Sequence, residues 1–128
     1  MIIAVDFDGT IVKHKYPAIG KEIPFAIETL KLLQKKGHKL ILWTYRAGKN
    51  LDEAVKFCEA RGLFFHAVNS NFEGEQFDDS ISRKIYADLY IDDRNILGIP
   101  DWEKLFKILT EKNSEKPDEG GSNLDIDL

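Results

Sequence analysis

Four short apolar runs alternate with amphipathic segments along the chain and predict an α/β protein. The runs cover residues 2–6, 38–44, 63–68 and 88–92, and each has the length of a buried strand. Apolar residues recur at three- and four-residue spacing over residues 24–36, 50–61 and 102–110, which is typical of helices. The sequence therefore predicts three helices that alternate with four strands.

This order of elements favours a three-layer, Rossmann-like architecture: a mostly parallel sheet with helices on both faces. Asn50 and Glu53 have the spacing of a capping box at the start of the second helix. Residues 11–23 are expected to form a flap or hairpin, and residues 81–87 a short helix or turn. The folded core is expected over residues 1–112, followed by a polar and flexible tail over residues 113–128.

Composition describes one soluble domain with an acidic charge balance. The 128 residues are 43% hydrophobic and 31% charged, and the formal net charge is -4. This balance argues against broad binding to nucleic-acid backbones, although a local basic pocket stays compatible with it. The chain shows neither a signal-peptide pattern nor an apolar run of about 20 residues, so we expect a cytoplasmic protein without a membrane partner.

The cysteine and histidines give no metal-binding pattern. The single cysteine, Cys58, falls in an apolar helical stripe and is expected to be a core residue. His14, His38 and His66 lack the spacing of zinc ligands and are expected on the surface or in packing roles.

Two acidic motifs stand at the ends of predicted strands. Residues 6–10 read D-x-D-G-T after the first strand, and Asp92-Asp93 follow the fourth. If both strands are central and parallel, with neighbouring strands about 4.8 Å apart, then Asp6, Asp8, Asp92 and Asp93 would surround one cation. Carboxylate oxygens suit Mg²⁺, which in turn attracts phosphate. The alternative for each motif is an ordinary turn, in which Gly9 supplies a positive φ.

Three further residues are candidates for phosphate contacts at the same edge. Thr44 ends the second strand and could donate its hydroxyl proton, and Arg46 could hold a phosphate with two hydrogen bonds. Lys84 precedes the fourth strand and could supply positive charge. The alternatives are a turn-capping hydroxyl for Thr44 and solvated surface charges for Arg46 and Lys84.

These residues together resemble the haloacid dehalogenase-like (HAD) superfamily of phosphatases. Its four motifs occur here in order as the D-x-D-G-T of residues 6–10, Thr44, Lys84 and Asp92-Asp93. The resemblance covers about residues 1–110; its first and last motifs are specific, and its middle two are single residues.

The resemblance implies a Mg²⁺-dependent phosphomonoester hydrolase. Asp6 would be the nucleophile that forms an aspartyl-phosphate, and Asp8 the general acid and base. Mg²⁺ would bind Asp6, the backbone carbonyl of Asp8, and Asp92, with Asp93 close by or acting through water. Thr44 and Lys84 would hold the transferring phosphoryl group, and we expect Gly9, Thr10 and Arg46 to contact the substrate.

The intervals between the motifs leave no room for the cap domain that many members of this superfamily carry. A capless member resembles enzymes that act on macromolecules, such as phosphoproteins or nucleic-acid ends, or that use a neighbouring subunit as a lid. The Thr44-x-Arg46 and Asp92-Asp93-Arg94 runs are also similar to the phosphatase module of polynucleotide end-processing enzymes. The substrate and the oligomeric state stay open, and a homo-oligomer is one outcome.

Two other classes of function stay open. One is a phosphate-accepting signalling module of the receiver type, although in that family the acidic pair, rather than the acceptor aspartate, follows the first strand. The other is a binding protein that keeps the fold without turnover.

Overall fold

The computed structural model describes residues 1–114, which form an α/β fold around a four-stranded parallel sheet. The strands are β1 (Ile2–Val5), β2 (Lys39–Leu42), β3 (Ala67–Val68) and β4 (Leu89–Ile91), in the spatial order β3-β2-β1-β4. Val5 lies opposite Leu42 and Ile91 in register. The chain therefore leaves β1, β2 and β4 at the same edge of the sheet.

Three helices pack on one face of this sheet: α1 (Ala26–Lys35), α2 (Gly48–Glu59) and α3 (Trp102–Ser114). The strand residues Ile3, Val5, Leu40 and Leu42 turn to this face because side chains alternate along a strand. Each helix adds buried side chains to the same apolar cluster, among them Leu30, Leu33, Ala54, Cys58, Trp102 and Leu109. No helix within residues 1–114 is long and apolar enough to cross a lipid bilayer.

A non-helical segment covers the opposite face. There Ala4, Ile41 and Ala67 pack against Ile85, from the connection between β3 and β4. Residues 81–87, expected to form a short helix or turn, contain turns and bends. Local hydrogen bonds such as Lys84 N–H to Ser82 Oγ (3.1 Å) compete with helix formation there. The α/β class is thus confirmed, whereas the described residues show helices on one face only.

The start of α2 differs from the expectation. The helix begins at Gly48, after Ala47 in an extended conformation, and no side chain caps it. Asn50 lies inside the first turn, so the predicted capping box with Glu53 is wrong.

The bounds of the core also differ slightly. Residues 113 and 114 belong to α3, while residues 115–128 of the expected tail lie outside the described residues.

The predicted flap is present as a short antiparallel hairpin over residues 11–23. Val12 bridges to Glu22, and Lys13 N–H donates to the carbonyl of Lys21 at 2.8 Å. Gly20 allows the two arms to approach, because a Cβ there would lie 2.1 Å from the Lys13 carbonyl oxygen. An ion pair between Glu22 and Arg61 connects the flap to the end of α2.

Cys58 is a core residue, as predicted. Its side chain is fully buried, and burial raises the pKa of its thiol to about 12. Cys58 is therefore held as an unreactive thiol at neutral pH.

Candidate metal centre and the adjoining cavity

The ends of β1 and β4 bring three carboxylates to one point. Asp6 follows β1, and Asp92 and Asp93 follow β4; one oxygen of each lies within 4.8 Å of the other two. Asp6 N–H donates to the carbonyl of Ile91 at 2.9 Å, so the strand pairing continues up to the site. Backbone pairing therefore fixes the separation of these side chains.

The hydroxyl of Thr10 connects two of the three carboxylate residues. It donates to Asp6 Oδ2 at 3.2 Å and accepts from the backbone N–H of Asp93, also at 3.2 Å. The Thr10 carbonyl accepts a hydrogen bond from Trp102 Nε1 at 2.9 Å, and Thr10 is fully buried. Thr10 thus positions the cluster, and the expected contact with substrate is not available to it.

Gly9 is required by close packing at the cluster. Its φ is +85°, and a Cβ would lie 2.2 Å from Asp93 Oδ2 and 2.4 Å from His14 Nε2. Its N–H already donates to the Val12 carbonyl at 2.7 Å. The expected substrate contact of the Gly9 amide is therefore not supported, and the positive φ of the turn interpretation is present.

His14 belongs to the site, whereas its lack of ligand spacing predicted a surface or packing position. Its Nε2 lies 3.0 Å from Asp93 Oδ2, and its side chain is half-exposed. The flap carries His14 back over the end of β4, a contact 79 residues apart in sequence. The hairpin signal in residues 11–23 was the available clue, but it did not indicate which side chain would face the acidic pair.

Burial and neighbouring charges shift the pKa values of two carboxylates in the cluster, Asp6 and Asp93. Burial, followed by the charge of Asp92, raises the pKa of Asp6 from 3.8 to about 7. Burial also acts to raise the pKa of Asp93, but hydrogen bonds from His14 and Asp6 outweigh it, and the net pKa is lowered. In the absence of a cation, the ionised form of Asp6 is therefore disfavoured.

A divalent cation fits this donor set. Asp93 Oδ1 is buried and has no hydrogen-bond partner among the described residues. A buried carboxylate oxygen without a partner is costly, and a bound cation would remove that cost. Three carboxylates with no sulfur or imidazole ligand in the cluster suit Mg²⁺.

Asp8, the fourth expected carboxylate, is not part of this cluster. Both of its oxygens accept hydrogen bonds from Arg46: Oδ2 from Nε and Oδ1 from Nη2, each at 2.8 Å. The carboxylate of Asp8 therefore lies outside the group of three that could hold a cation.

Arg46 is buried, and all five of its N–H donors have protein acceptors. Besides the two bonds to Asp8, Nη1 donates to the carbonyls of Pro17 and Asn50, and Nη2 to that of Ala18. The guanidinium also lies 5.2 Å from the ring centroid of Phe7 and 5.1 Å from that of Tyr16.

The expectation that Arg46 binds a substrate phosphate is therefore not supported. A phosphate would have to displace buried carbonyl or carboxylate partners of the guanidinium, each of which would then lose its hydrogen bond. A side chain that is 1% exposed also offers no face to a ligand.

Thr44 lies at the expected edge, directly after β2. Its N–H donates to Asn69 Oδ1 at 2.8 Å, and its Oγ1 accepts from Arg46 N–H at 3.1 Å. Since Oγ1 acts as an acceptor in that bond, its own proton stays available for a ligand.

Lys84 is not brought to the cluster. It is exposed, and its Nζ lies 5.0 Å from the ring centroid of Tyr90, a residue of the opposite sheet face. Ile85 is buried under that face and anchors the segment there. The structure therefore does not support a direct contact between Lys84 and a bound phosphoryl group.

A cavity of about 630 Å³ opens at this edge of the sheet. It combines acidic, cationic and aromatic side chains, namely Asp6, Asp8, His14, Tyr16, Trp43, Thr44, Tyr45, Asp92 and Arg94. Its size is within the range of small-molecule sites. The sequence did not indicate that three aromatic residues and the exposed Arg94 would line this cavity together.

Fold and site together define an α/β protein with an acidic cluster at the carboxyl ends of its parallel strands. No protein-family model matches the chain, and no curated protein is similar to it. Among solved structures, a conserved protein from Bacteroides thetaiotaomicron is 59% identical, with a TM-score of 0.83 over 88% of this chain and 91% of that one. The chain belongs to the same family as this Bacteroides protein.

We predict that Asp6→Asn stabilises the cation-free protein increasingly as pH rises from about 4 to about 7, and that this gain levels off above pH 7. Folding raises the pKa of Asp6 to about 7, so the folded protein holds this proton more tightly than the unfolded chain does. Wild-type stability therefore falls over this range, whereas an asparagine has no proton to lose. The expected gain at pH 8 in EDTA is about 1 kcal/mol, or a few degrees in Tm.

Thermal melts of both proteins in EDTA from about pH 4 to about pH 8 provide the measurement. Asp79→Asn, at an exposed carboxylate outside the cluster, is the matched control and should shift Tm equally at every pH. A Tm difference between Asp6→Asn and wild type that does not change with pH would contradict the perturbed titration of Asp6.

Proposed function

We propose that this protein is a phosphomonoester hydrolase of the HAD-like type that works through an aspartyl-phosphate on Asp6. The observation that carries the proposal is the convergence of Asp6, Asp92 and Asp93 to within 4.8 Å at the carboxyl edge of the sheet. The order of motifs along the chain and the position of Thr44 at the same cavity support it. We include in the proposal a Rossmann-like core without a cap domain.

Mg²⁺ would be held by the carboxylates of Asp6 and Asp92, with Asp93 completing the set directly or through water. When bound, it would neutralise negative charge on the cluster and on the phosphate oxygens. The buried Oδ1 of Asp93, which has no hydrogen-bond partner in residues 1–114, supports a cation at this place.

Asp6 would act as the nucleophile. The hydrogen bond from Thr10 to Oδ2 fixes the rotation of the carboxylate, which leaves Oδ1 to form the bond to phosphorus. The P–O bond to the substrate's alcohol breaks as this bond forms, and the alcohol oxygen takes a proton. Covalent catalysis of this kind divides one difficult displacement into two easier ones.

Asp8 would supply that proton and later remove one from the water that hydrolyses the aspartyl-phosphate. It lines the same cavity as Asp6 and stands two residues away on the turn after β1. Each carboxylate oxygen keeps a second lone pair beside its bond to Arg46, so Asp8 can carry a proton without leaving its partner. Arg46 is therefore a positioning residue that holds Asp8 in one orientation.

The transferring phosphoryl group would be bound by Thr44 and by Arg94. The Thr44 hydroxyl can donate its proton, and Arg94 is an exposed guanidinium at the cavity. Arg94 would take the charge-neutralising role that the sequence assigned to Lys84.

We predict that the protein releases phosphate from p-nitrophenyl phosphate with Mg²⁺ and that Asp6→Asn loses this activity by about 10³-fold or more. Asparagine is nearly isosteric with aspartate but is a poor nucleophile. Asp79→Asn should keep full activity, and EDTA should abolish wild-type turnover. Unchanged activity in Asp6→Asn would refute Asp6 as the nucleophile, and a phosphoprotein that persists for minutes would favour the receiver-type alternative.

We predict that Arg46→Lys lowers kcat/KM for alkyl phosphates by about 10- to 100-fold, with a much smaller loss of kcat/KM for p-nitrophenyl phosphate. Lysine keeps the charge but cannot reach both Asp8 oxygens with a planar fork. kcat/KM reports the formation of the aspartyl-phosphate, in which only a poor leaving group needs a proton from Asp8. The later hydrolysis, in which Asp8 acts as base for every substrate, affects kcat instead.

Asp8→Asn is the matched variant and should show the same dependence on leaving group. Circular dichroism checks that Arg46→Lys remains folded. Equal losses on alkyl and aryl phosphates would show that Arg46 has a structural role only.

A further inference from the structure

We infer that the substrates are nucleoside monophosphate esters, in which the alcohol released from phosphate carries a flat heteroaromatic base. This rests on the proposed phosphatase function and adds the class of leaving group. The observation behind it is the aromatic lining of the cavity: Tyr16, Trp43 and Tyr45 stand beside the groups proposed for the chemistry.

Tyr45 is the most available of the three rings. Its side chain is 93% exposed, and among the described residues it has no hydrogen-bond or ring partner. It directly follows Thr44, the residue proposed to hold the phosphoryl group. A base linked to that phosphoryl group through a ribose would find an unoccupied ring to stack on, and stacking tolerates any base.

Tyr16 and Trp43 add two more fixed rings. The ring centroid of Tyr16 lies 5.1 Å from the buried Arg46 guanidinium, which holds the ring while about half of the residue stays exposed. Trp43 is half-buried and packs against the apolar cluster on the second sheet face. Rings whose positions are already set lose little conformational entropy when a ligand binds.

Other classes of phosphomonoester fit this lining less well. A sugar phosphate without a base needs many hydrogen-bonding groups, yet the polar side chains here are mainly those already used for the chemistry. A cavity of about 630 Å³ exceeds what one phenyl ring and a phosphate need. Arg94 provides positive charge at the cavity without making a long basic tract.

The chain as a whole, with a formal net charge of -4, has no excess of positive charge for a long nucleic-acid backbone. Long contact with a nucleic-acid backbone needs a basic surface. The expected substrates therefore share one phosphomonoester and one stacked base, which belong either to a free nucleotide or to the end of a short strand.

The test compares adenosine 5′-monophosphate with ribose 5-phosphate, which has the same phosphate and sugar but no base. Steady-state kinetics measure kcat/KM for both, and titration calorimetry measures their binding to the Mg²⁺-loaded Asp6→Asn protein. We expect at least a 10-fold preference for the nucleotide in both measurements. Tyr45→Ala should lose about 10-fold on the nucleotide, mainly in KM, and nothing on ribose 5-phosphate.

Two variants control for general effects at the surface. Tyr45→Phe keeps the ring and should keep the preference. Tyr86→Ala removes a tyrosine that is 68% exposed but outside the cavity, and it should leave both substrates unchanged. A 5′-phosphorylated trinucleotide separates the two sources: faster turnover than the free nucleotide assigns the strand end, and slower turnover assigns the free nucleotide.

The inference would be overturned by equal kcat/KM values for adenosine 5′-monophosphate and ribose 5-phosphate, or by equal losses on both in Tyr45→Ala. A preference for a phosphotyrosine peptide would also overturn it. Hydrolysis of p-nitrophenyl phosphate separates this failure from that of the proposed function. If that hydrolysis depends on Asp6 and no base preference is found, only the substrate class is wrong. If no Asp6-dependent hydrolysis is found, both are wrong.

Discussion

The structure depends on holding three negative charges together at the end of two paired strands. Asp6, Asp92 and Asp93 repel one another, and partial burial strengthens the repulsion because fewer water molecules screen it. The parallel pairing of β1 with β4 fixes the two strand ends, and the hydrogen bonds of Thr10 hold the side of the cluster nearest the core. A site that is unfavourable on its own and favourable with a divalent cation is the expected design of a cation-binding centre.

Around this cluster, the elements that follow β1 and β2 are organised by one buried guanidinium. Arg46 bonds to Asp8 after β1, to the carbonyls of Pro17 and Ala18 in the flap, and to that of Asn50 in α2. These contacts join the turn after β1 and the flap to the segment after β2, 28 to 38 residues further along the chain. Removing Arg46 would leave several acceptors without donors, so its cost would extend beyond the loss of one ion pair.

The parts of the site that lie on strands could be predicted from the sequence, because a buried strand followed by acidic residues specifies both position and chemistry. Asp6, Asp92 and Thr44 are of this kind. The partners of Arg46 and His14 could not be predicted, because they depend on how the flap folds back over strands to which it is not paired. Lys84 does not line the cavity, because the segment before β4 is anchored by Ile85 on the second sheet face.

The fold was likewise predictable where the sequence signal is local, and not where it depends on contacts between distant segments. Periodicity predicted the three helices and the parallel order of strands, which are local signals supported by the core. It did not predict that a non-helical segment would cover the second face, since a few buried residues such as Ile85 are sufficient there and leave no periodic stripe. Roles that depend on contacts between loops required the three-dimensional structure.

The most direct test of the account is to locate a divalent cation by anomalous scattering from crystals grown with Mn²⁺, which takes the same oxygen ligands as Mg²⁺. The account predicts one strong peak at about 2.2 Å from carboxylate oxygens of Asp6 and Asp92. Crystals at millimolar Mn²⁺ with no peak at the ends of β1 and β4, or with the peak at other residues, would contradict it.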